Sequence, residues 1–169
     1  MQSTQTFKKY KPYPLVPLSH REWASNIITQ APIWVSTDLR DGNQALVEPM
    51  NASKKLAYFQ KLVEMGFKEI EIAYPSASQT DFDFCRALIE QKLIPDDVRI
   101  SVLTPSIEKH IKKTFQAIKG AKRVTIHLYN PTADNQRKIV FNKSKEEIIT
   151  LALEGTRIIK EEAEKFKGD

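Results

Sequence analysis

Short apolar strands alternate with amphipathic helices along most of this sequence. Strand-like segments begin near Ile33 and then in KEIEIAY, VRISVL and RVTIHLY, at intervals of roughly 25 to 35 residues, and a helix-like segment follows each. Strands separated by helices are typically joined by right-handed crossovers into βαβ units and a parallel sheet. The order therefore predicts an α/β fold with about four parallel βα units over residues 31–169.

The helix boundaries are marked by residues that commonly cap helices. The candidate start residues are Asn51 or Ser53, Ser78 or Thr80, and Ser144 with Glu147, which are spaced as a capping box. The candidate end residues are Gly66 and Gly120. Each helix between these signals has an apolar stripe, and Cys85 lies on the stripe of the second helix, so we predict that it is a core residue.

The strands have one apolar and one polar face. In KEIEIA the isoleucines alternate with the glutamates, and in VTIHLY the aliphatic residues alternate with threonine, histidine and tyrosine. A parallel sheet covered on both faces has nearly continuous apolar strands, so a polar face favours a barrel over a doubly wound sheet. A TIM (β/α)8 barrel has eight units in typically about 250 residues. Four units in 169 residues therefore predict half of such a barrel.

The first 30 residues differ from the rest of the chain. Pro12, Pro14 and Pro17 lie among tyrosines and lysines, a composition that favours extended backbone over packed secondary structure. We therefore predict an extended N-terminal arm over residues 1–30 and a partial TIM-barrel catalytic domain over residues 31–169.

Composition excludes several classes of function. The net charge of +5 is basic, but the lysines are interleaved with acids, as on solvated helix faces, and no nucleic-acid-binding motif is present. No apolar run approaches the roughly 20 residues that cross a bilayer, and the start has no signal-peptide pattern. Cys85 is the only cysteine, which excludes an intramolecular disulfide. We expect a cytoplasmic protein with neither a nucleic-acid nor a membrane partner.

Polar side chains cluster where the predicted strands end, which is where parallel βα folds place their active sites. The candidates are Asp38, Arg40, Asp41, Asn43 and Gln44 after the first strand, Glu71 on the second, and His127 on the fourth. An aspartate can bind a hard cation such as Mg²⁺ or Mn²⁺, and an arginine fork can bind a carboxylate. Gly42 is expected to permit a sharp turn there.

Simpler interpretations of the same residues stay open at this point. Asp41 and Gly42 form a common turn signal, and His127 alone is typical of a hydrogen-bonded core histidine. Glu71 could pair with an arginine or lysine of a neighbouring strand. Asp81 is most simply an acid at a helix start.

The stretch STDLRDGNQAL, followed by MGFKEIEIAYPSASQTDFDF, resembles the 2-isopropylmalate synthases of leucine biosynthesis, which are related to homocitrate and citramalate synthases. IPDDVRISVLT and VTIHLYNPT extend the resemblance, which runs from about Tyr10 to the C-terminus. It implies the N-terminal half of a TIM barrel and an acyltransferase that condenses acetyl-CoA with 2-oxoisovalerate and hydrolyses the thioester with water, giving 2-isopropylmalate and CoA.

The resemblance also implies roles for individual residues. Asp41 matches the ligand of a divalent metal, Mg²⁺ or Mn²⁺ and alternatively Zn²⁺, which polarises the ketone of the oxo acid. Arg40 matches a catalytic arginine that binds the oxo acid and stabilises the charge developing on its oxygen. His127 matches a histidine that contacts the same substrate, and Gln44 and Glu71 match supporting substrate-binding positions.

The sequence departs from the family after its fourth βα unit. A His-x-His pair, a further metal ligand and an enolising glutamate belong to later strands, and the only histidines here are His20, His110 and His127. We therefore expect a truncated chain with weak or absent metal binding and little activity alone. Its open sheet edges predict a homodimer or other self-association. The alternatives are a non-catalytic module that docks on a full-length subunit and a sister synthase for another oxo acid.

Overall fold

A computed structural model describes residues 30–166 of the chain, together with residues 11, 14, 23 and 26. The chain divides into two compact units, residues 1–32 and residues 33–169. The arm predicted over residues 1–30 lies almost entirely outside the described residues, so it stays a prediction. All elements discussed below belong to the second unit.

Four parallel strands form a single sheet in the order β1-β2-β3-β4. The strands are β1 (Val35–Ser36), β2 (Glu69–Ala73), β3 (Arg99–Pro105) and β4 (Val124–Tyr129). The helices that follow them are α1 (Ala52–Met65), α2 (Gln79–Glu90), α3 (Glu108–Ile118) and α4 (Lys145–Phe166). A doubly wound sheet reverses its strand order at a switch point, whereas here each strand neighbours the next. The predicted half of a TIM barrel is therefore confirmed.

Local capping explains where the helices begin. The Asn51 side chain accepts from the backbone N–H of Lys54 at 3.0 Å, and Ser78 Oγ accepts from that of Asp81 at 3.1 Å. At α4, Ser144 N–H donates to Glu147 Oε2 at 2.8 Å, and Glu147 N–H donates to Ser144 Oγ at 3.1 Å. The predicted capping box is confirmed, because the two reciprocal hydrogen bonds give partners to two of the backbone donors at the start of the helix.

The core lies between the sheet and helices α1, α2 and α3. It contains Phe59 and Leu62 of α1, Leu88 of α2, Ile111 and Ile118 of α3, and Ile70, Ile72, Ile100 and Val102 of the strands. Cys85 is fully buried among them, which confirms its prediction as a core residue. No helix in the described part of the chain is both long and apolar enough to cross a membrane.

Candidate active site

The polar stretch after β1 forms a single π-helical turn, Asp38–Gly42. The carbonyl of Thr37 accepts from the backbone N–H of Arg40 at 3.2 Å, of Asp41 at 2.8 Å and of Gly42 at 3.2 Å. Gly42 does not have a positive φ, so the turn here does not use the left-handed conformation that favours glycine. The turn is made by a π-helical hydrogen bond, from the N–H of Gly42 to the carbonyl of Thr37 five residues earlier. Such turns are rare in proteins, and those that occur are often at functional sites.

The π-helical turn directs Arg40 toward β2. Arg40 Nη2 donates to Glu71 Oε2 at 2.8 Å, and Arg40 Nη1 donates to Asp41 Oδ1 at 2.8 Å. The Glu71 side chain is 2% exposed, whereas that of Asp41 is 60% exposed. The guanidinium is therefore anchored on its inner side by a buried carboxylate and pairs with a solvated one on its outer side. Its Nε–H is buried and has no hydrogen-bond partner among the described residues.

Glu71 also contacts His127, which comes from β4 on the far side of β3. Glu71 Oε1 lies 2.8 Å from His127 Nδ1. A carboxylate only accepts hydrogen bonds, so Nδ1 is the donor and the other ring nitrogen is left for a different partner. A register shift between Glu71 and Ala73 in the pairing with β3 lies beside this carboxylate, as bulges often do near active sites.

A cavity of about 730 Å³ opens beside Arg40. Its lining comes from the π-helical turn, from the loops before α1 and α2 and from the first turns of those helices. It includes Arg40, Asn43, Gln44, Lys55, Tyr74, Ser78 and Asp81. The structure therefore brings Arg40, Glu71 and His127 together by direct contact and joins Asp41 to them through Arg40. Gln44 lines the cavity with Arg40, whereas Asp41, Glu71 and His127 are not among its lining residues.

Comparison with known protein families agrees with the fold. The family model described as HMGL-like matches residues 31–168, which includes all four strands and helices. The chain belongs to the HMGL-like family.

Several curated relatives with similar sequences share one name. The chain is 57% identical over 152 residues to the 2-isopropylmalate synthase of Cupriavidus taiwanensis, which covers 90% of this chain and 27% of that protein. It is 55% identical over 153 residues to the 2-isopropylmalate synthase of Schizosaccharomyces pombe, and the match covers 90% of this chain and 26% of that protein. It is 52% identical over 158 residues to the 2-isopropylmalate synthase of Clostridium acetobutylicum, and the match covers 94% of this chain and 28% of that protein. The chain therefore spans about a quarter of the length of these relatives, and the predicted resemblance is confirmed.

HMGL-like enzymes generally depend on a divalent metal, and such an ion needs several protein ligands for tight binding. No group of three or more histidine, cysteine, aspartate or glutamate side chains between residues 30 and 166 could hold one. Asp41 has one carboxylate oxygen engaged by Arg40, and the other has no hydrogen bond to any residue that the structure describes. The residues present therefore do not form a complete metal site.

Sequence reasoning missed one feature of this candidate site. Asp81, interpreted as a helix-start acid, pairs through Oδ1 with the ammonium of Lys55 and accepts through Oδ2 from the backbone N–H of Tyr74 at 2.8 Å. The interpretation is therefore incomplete, because Asp81 also links α1 to the loop after β2. The signal that could have revealed it is Lys55, four residues before the buried Phe59 and so on the apolar stripe of α1.

Proposed function

We propose that this chain forms the N-terminal half of the catalytic barrel of a 2-isopropylmalate synthase, an acyltransferase that condenses acetyl-CoA with 2-oxoisovalerate. The supporting observation is the contact of Arg40 with Glu71 and of Glu71 with His127, beside a cavity of about 730 Å³, in a chain 57% identical to a protein of that name. The three residues come from separate elements, so their meeting is not explained by local sequence alone.

Arg40 is proposed as the catalytic and substrate-binding cation. Glu71 holds one guanidinium nitrogen from the buried side, which fixes the plane of the fork. The carboxylate of the oxo acid would replace Asp41 on the other nitrogen, because that side faces solvent. A fixed donor in this position would then stabilise negative charge that develops on the ketone oxygen during condensation.

His127 and Gln44 are proposed to contact the same substrate. The His127 side chain is 49% exposed and its Nδ1 is engaged by Glu71, so the ring is oriented and its Nε2 is the nitrogen proposed to face the oxo acid. Gln44 lines the cavity with Arg40 and can both donate and accept. Glu71 is proposed to act indirectly, because it orients both Arg40 and His127.

Asp41 is proposed as one ligand of a divalent metal, Mg²⁺ or Mn²⁺ and alternatively Zn²⁺. Its exposed carboxylate is suited to such an ion, but a single carboxylate leaves most of an octahedral shell to water. Metal binding by this chain alone is therefore proposed to be weak, and its condensing activity alone to be small or absent.

Self-association through the sheet edges is proposed as well. Within the described residues, β1 pairs only with β2 and β4 pairs only with β3, which leaves the outer edge of each strand without a strand partner. Such edges favour pairing with another chain, and a homodimer would cover them. The cytoplasmic location and the absence of nucleic-acid and membrane partners stay predictions.

The function can be tested by a chimera in which this chain replaces the matching segment of the Cupriavidus taiwanensis relative. We expect CoA release from acetyl-CoA and 2-oxoisovalerate in the presence of Mg²⁺, and a loss of at least about 100-fold on Arg40→Ala, as for groups that stabilise developing charge. A preference for pyruvate or 2-oxoglutarate would indicate a sister synthase instead. A folded chimera that uses none of these acids would favour the non-catalytic module.

A further inference from the structure

Lys55 is a lysine buried in the body of α1. Its side chain is 1% exposed, its ammonium pairs with Asp81 Oδ1, and it lies 5.3 Å from the centre of the Phe84 ring. Burying a charged pair costs several kcal/mol per ion in desolvation, and an apolar residue of similar volume is often no less stabilising. Stability alone therefore does not explain why this position holds a lysine.

Asp81 connects that lysine to the loop after β2. Its Oδ2 accepts from the backbone N–H of Tyr74 at 2.8 Å, and its own N–H donates to Ser78 Oγ at 3.1 Å. Both carboxylate oxygens are therefore in use, one on a cation from α1 and the other on the first residue after β2. Lys55 holds Oδ1 and thereby keeps Oδ2 turned toward Tyr74.

The loop of residues 74–78 forms one wall of the cavity beside Arg40. Its ends are linked by a turn in which Ala77 N–H donates to Tyr74 O at 3.0 Å. The Tyr74 hydroxyl lies 3.3 Å from that of Tyr129 at the end of β4, and the two rings are perpendicular with centres 6.2 Å apart. Moving the backbone of Tyr74 would therefore move both the cavity wall and the contact with β4.

We propose that Lys55 is a positioning residue, which acts through Asp81 to fix the backbone of Tyr74 and thereby the cavity wall next to Arg40. Its relevance to substrate rests on the proposed function. The positioning itself is a property of the chain that can be measured without any reaction.

Amide hydrogen exchange of the 169-residue chain, followed by NMR, tests the proposal. Lys55→Met should accelerate exchange of the Tyr74 amide by about tenfold or more, because its acceptor is released. The amides of Ile100 and Val102 in β3 report any loss of global stability, and the acceleration at Tyr74 should exceed theirs by about tenfold or more. Lys54→Met, at the exposed neighbouring position, should leave the Tyr74 amide as in the wild type.

A double variant, Lys55→Met with Asp81→Asn, removes the unpaired charge that could prevent the single variant from folding. It keeps an oxygen acceptor near Tyr74 but no cation to orient it, so faster exchange at Tyr74 is again expected. Wild-type protection of Tyr74 in either folded variant would overturn the proposal, as would equal acceleration throughout β3. Because exchange does not depend on catalysis, this failure is distinct from an inactive chimera.

Discussion

Arg40 and Glu71 form a largely buried ion pair, with Arg40 Nη2 2.8 Å from Glu71 Oε2 and side-chain exposures of 13% and 2%. Arg40 lies in the π-helical turn after β1, and Glu71 lies on β2. The pair therefore joins the turn after β1 to the middle of β2, beside the cavity that Arg40 lines. Since Glu71 also holds His127 from β4, one buried carboxylate orients the two groups proposed to bind substrate.

Removing this carboxylate should strongly destabilise the chain. Glu71→Ala leaves Arg40 with only the exposed Asp41, and breaking a buried pair on one side costs about 3–5 kcal/mol of unfolding free energy. Urea unfolding would measure it. Glu69→Ala is the matched control, because Glu69 is partly exposed and 3.9 Å from Arg99, and should cost less than about 1 kcal/mol. A Glu71→Ala variant as stable as the control would contradict this prediction.

Replacing Asp41 should affect chemistry without affecting stability. Its side chain is 60% exposed, so Asp41→Ala should change the unfolding free energy by no more than about 0.5 kcal/mol. In the chimera, the same change should reduce CoA release by about 100-fold or more, and in the chain alone it should abolish the weak binding of Mg²⁺ measured by calorimetry. Asp96→Ala, in an exposed turn before β3, should change neither the CoA release of the chimera nor the Mg²⁺ binding of the chain. Full activity of the Asp41→Ala chimera would exclude the metal role.

The close approach of α4 to the end of β3 depends on Gly155. A Cβ at this position would lie 2.1 Å from Ser106 Oγ and 3.1 Å from Ser106 Cβ. Alanine is about 1 kcal/mol better than glycine within a helix, but we expect the overlap to outweigh this gain and Gly155→Ala to destabilise by about 1–3 kcal/mol. Thr156→Ala, one residue later on the exposed face, should have little effect. Thermal unfolding of the two variants would separate them.

Alkaline pH should weaken the fold through Cys85. Burial, with the nearby Asp81 carboxylate adding to it, raises the pKa of the Cys85 thiol from 9.0 to about 12. The folded chain therefore keeps a proton that the unfolded chain releases, so stability present below pH 9 is lost as the pH rises toward 12. Unfolding free energies from pH 8 to 10.5 should fall less steeply in Cys85→Ala than in the wild type. Parallel pH profiles would count against the buried thiol as the cause.

The open edge of β4 should make the chain self-associate. Light scattering after size exclusion should show a mass that rises with concentration, because an unpaired edge accepts another strand. Thr125→Lys places a charge on β4, whose only strand partner in the described residues is β3, and should shift the equilibrium toward monomer. A wild-type chain that stays monomeric at about 100 μM would contradict the proposal that the chain self-associates through its sheet edges.

Features that depend on short-range interactions were predictable from sequence. The capping box of Ser144 and Glu147 is formed by residues three positions apart, and the burial of Cys85 follows from its place on a helical stripe. The four βα units follow from the same kind of local periodicity. The prediction of the first strand from Ile33 was less accurate, since β1 is only Val35–Ser36 and Ile33 is exposed. The extent of β1 is determined by its pairing with β2 at Val35 and Ser36. That pairing joins residues far apart in the sequence, so local patterns do not reveal it.

The sequence by itself determined the repeating units, their caps and the polar strand ends, because these follow from neighbouring residues and from alternation along a strand. Only the tertiary structure decided which of those polar groups meet. Arg40 and Glu71 are 31 positions apart, and Glu71 and His127 are 56 apart. The same holds for Lys55 and Asp81, at 26 positions. A buried charge can select its partner only after folding has removed water from around it, so these pairs exist only in the folded chain.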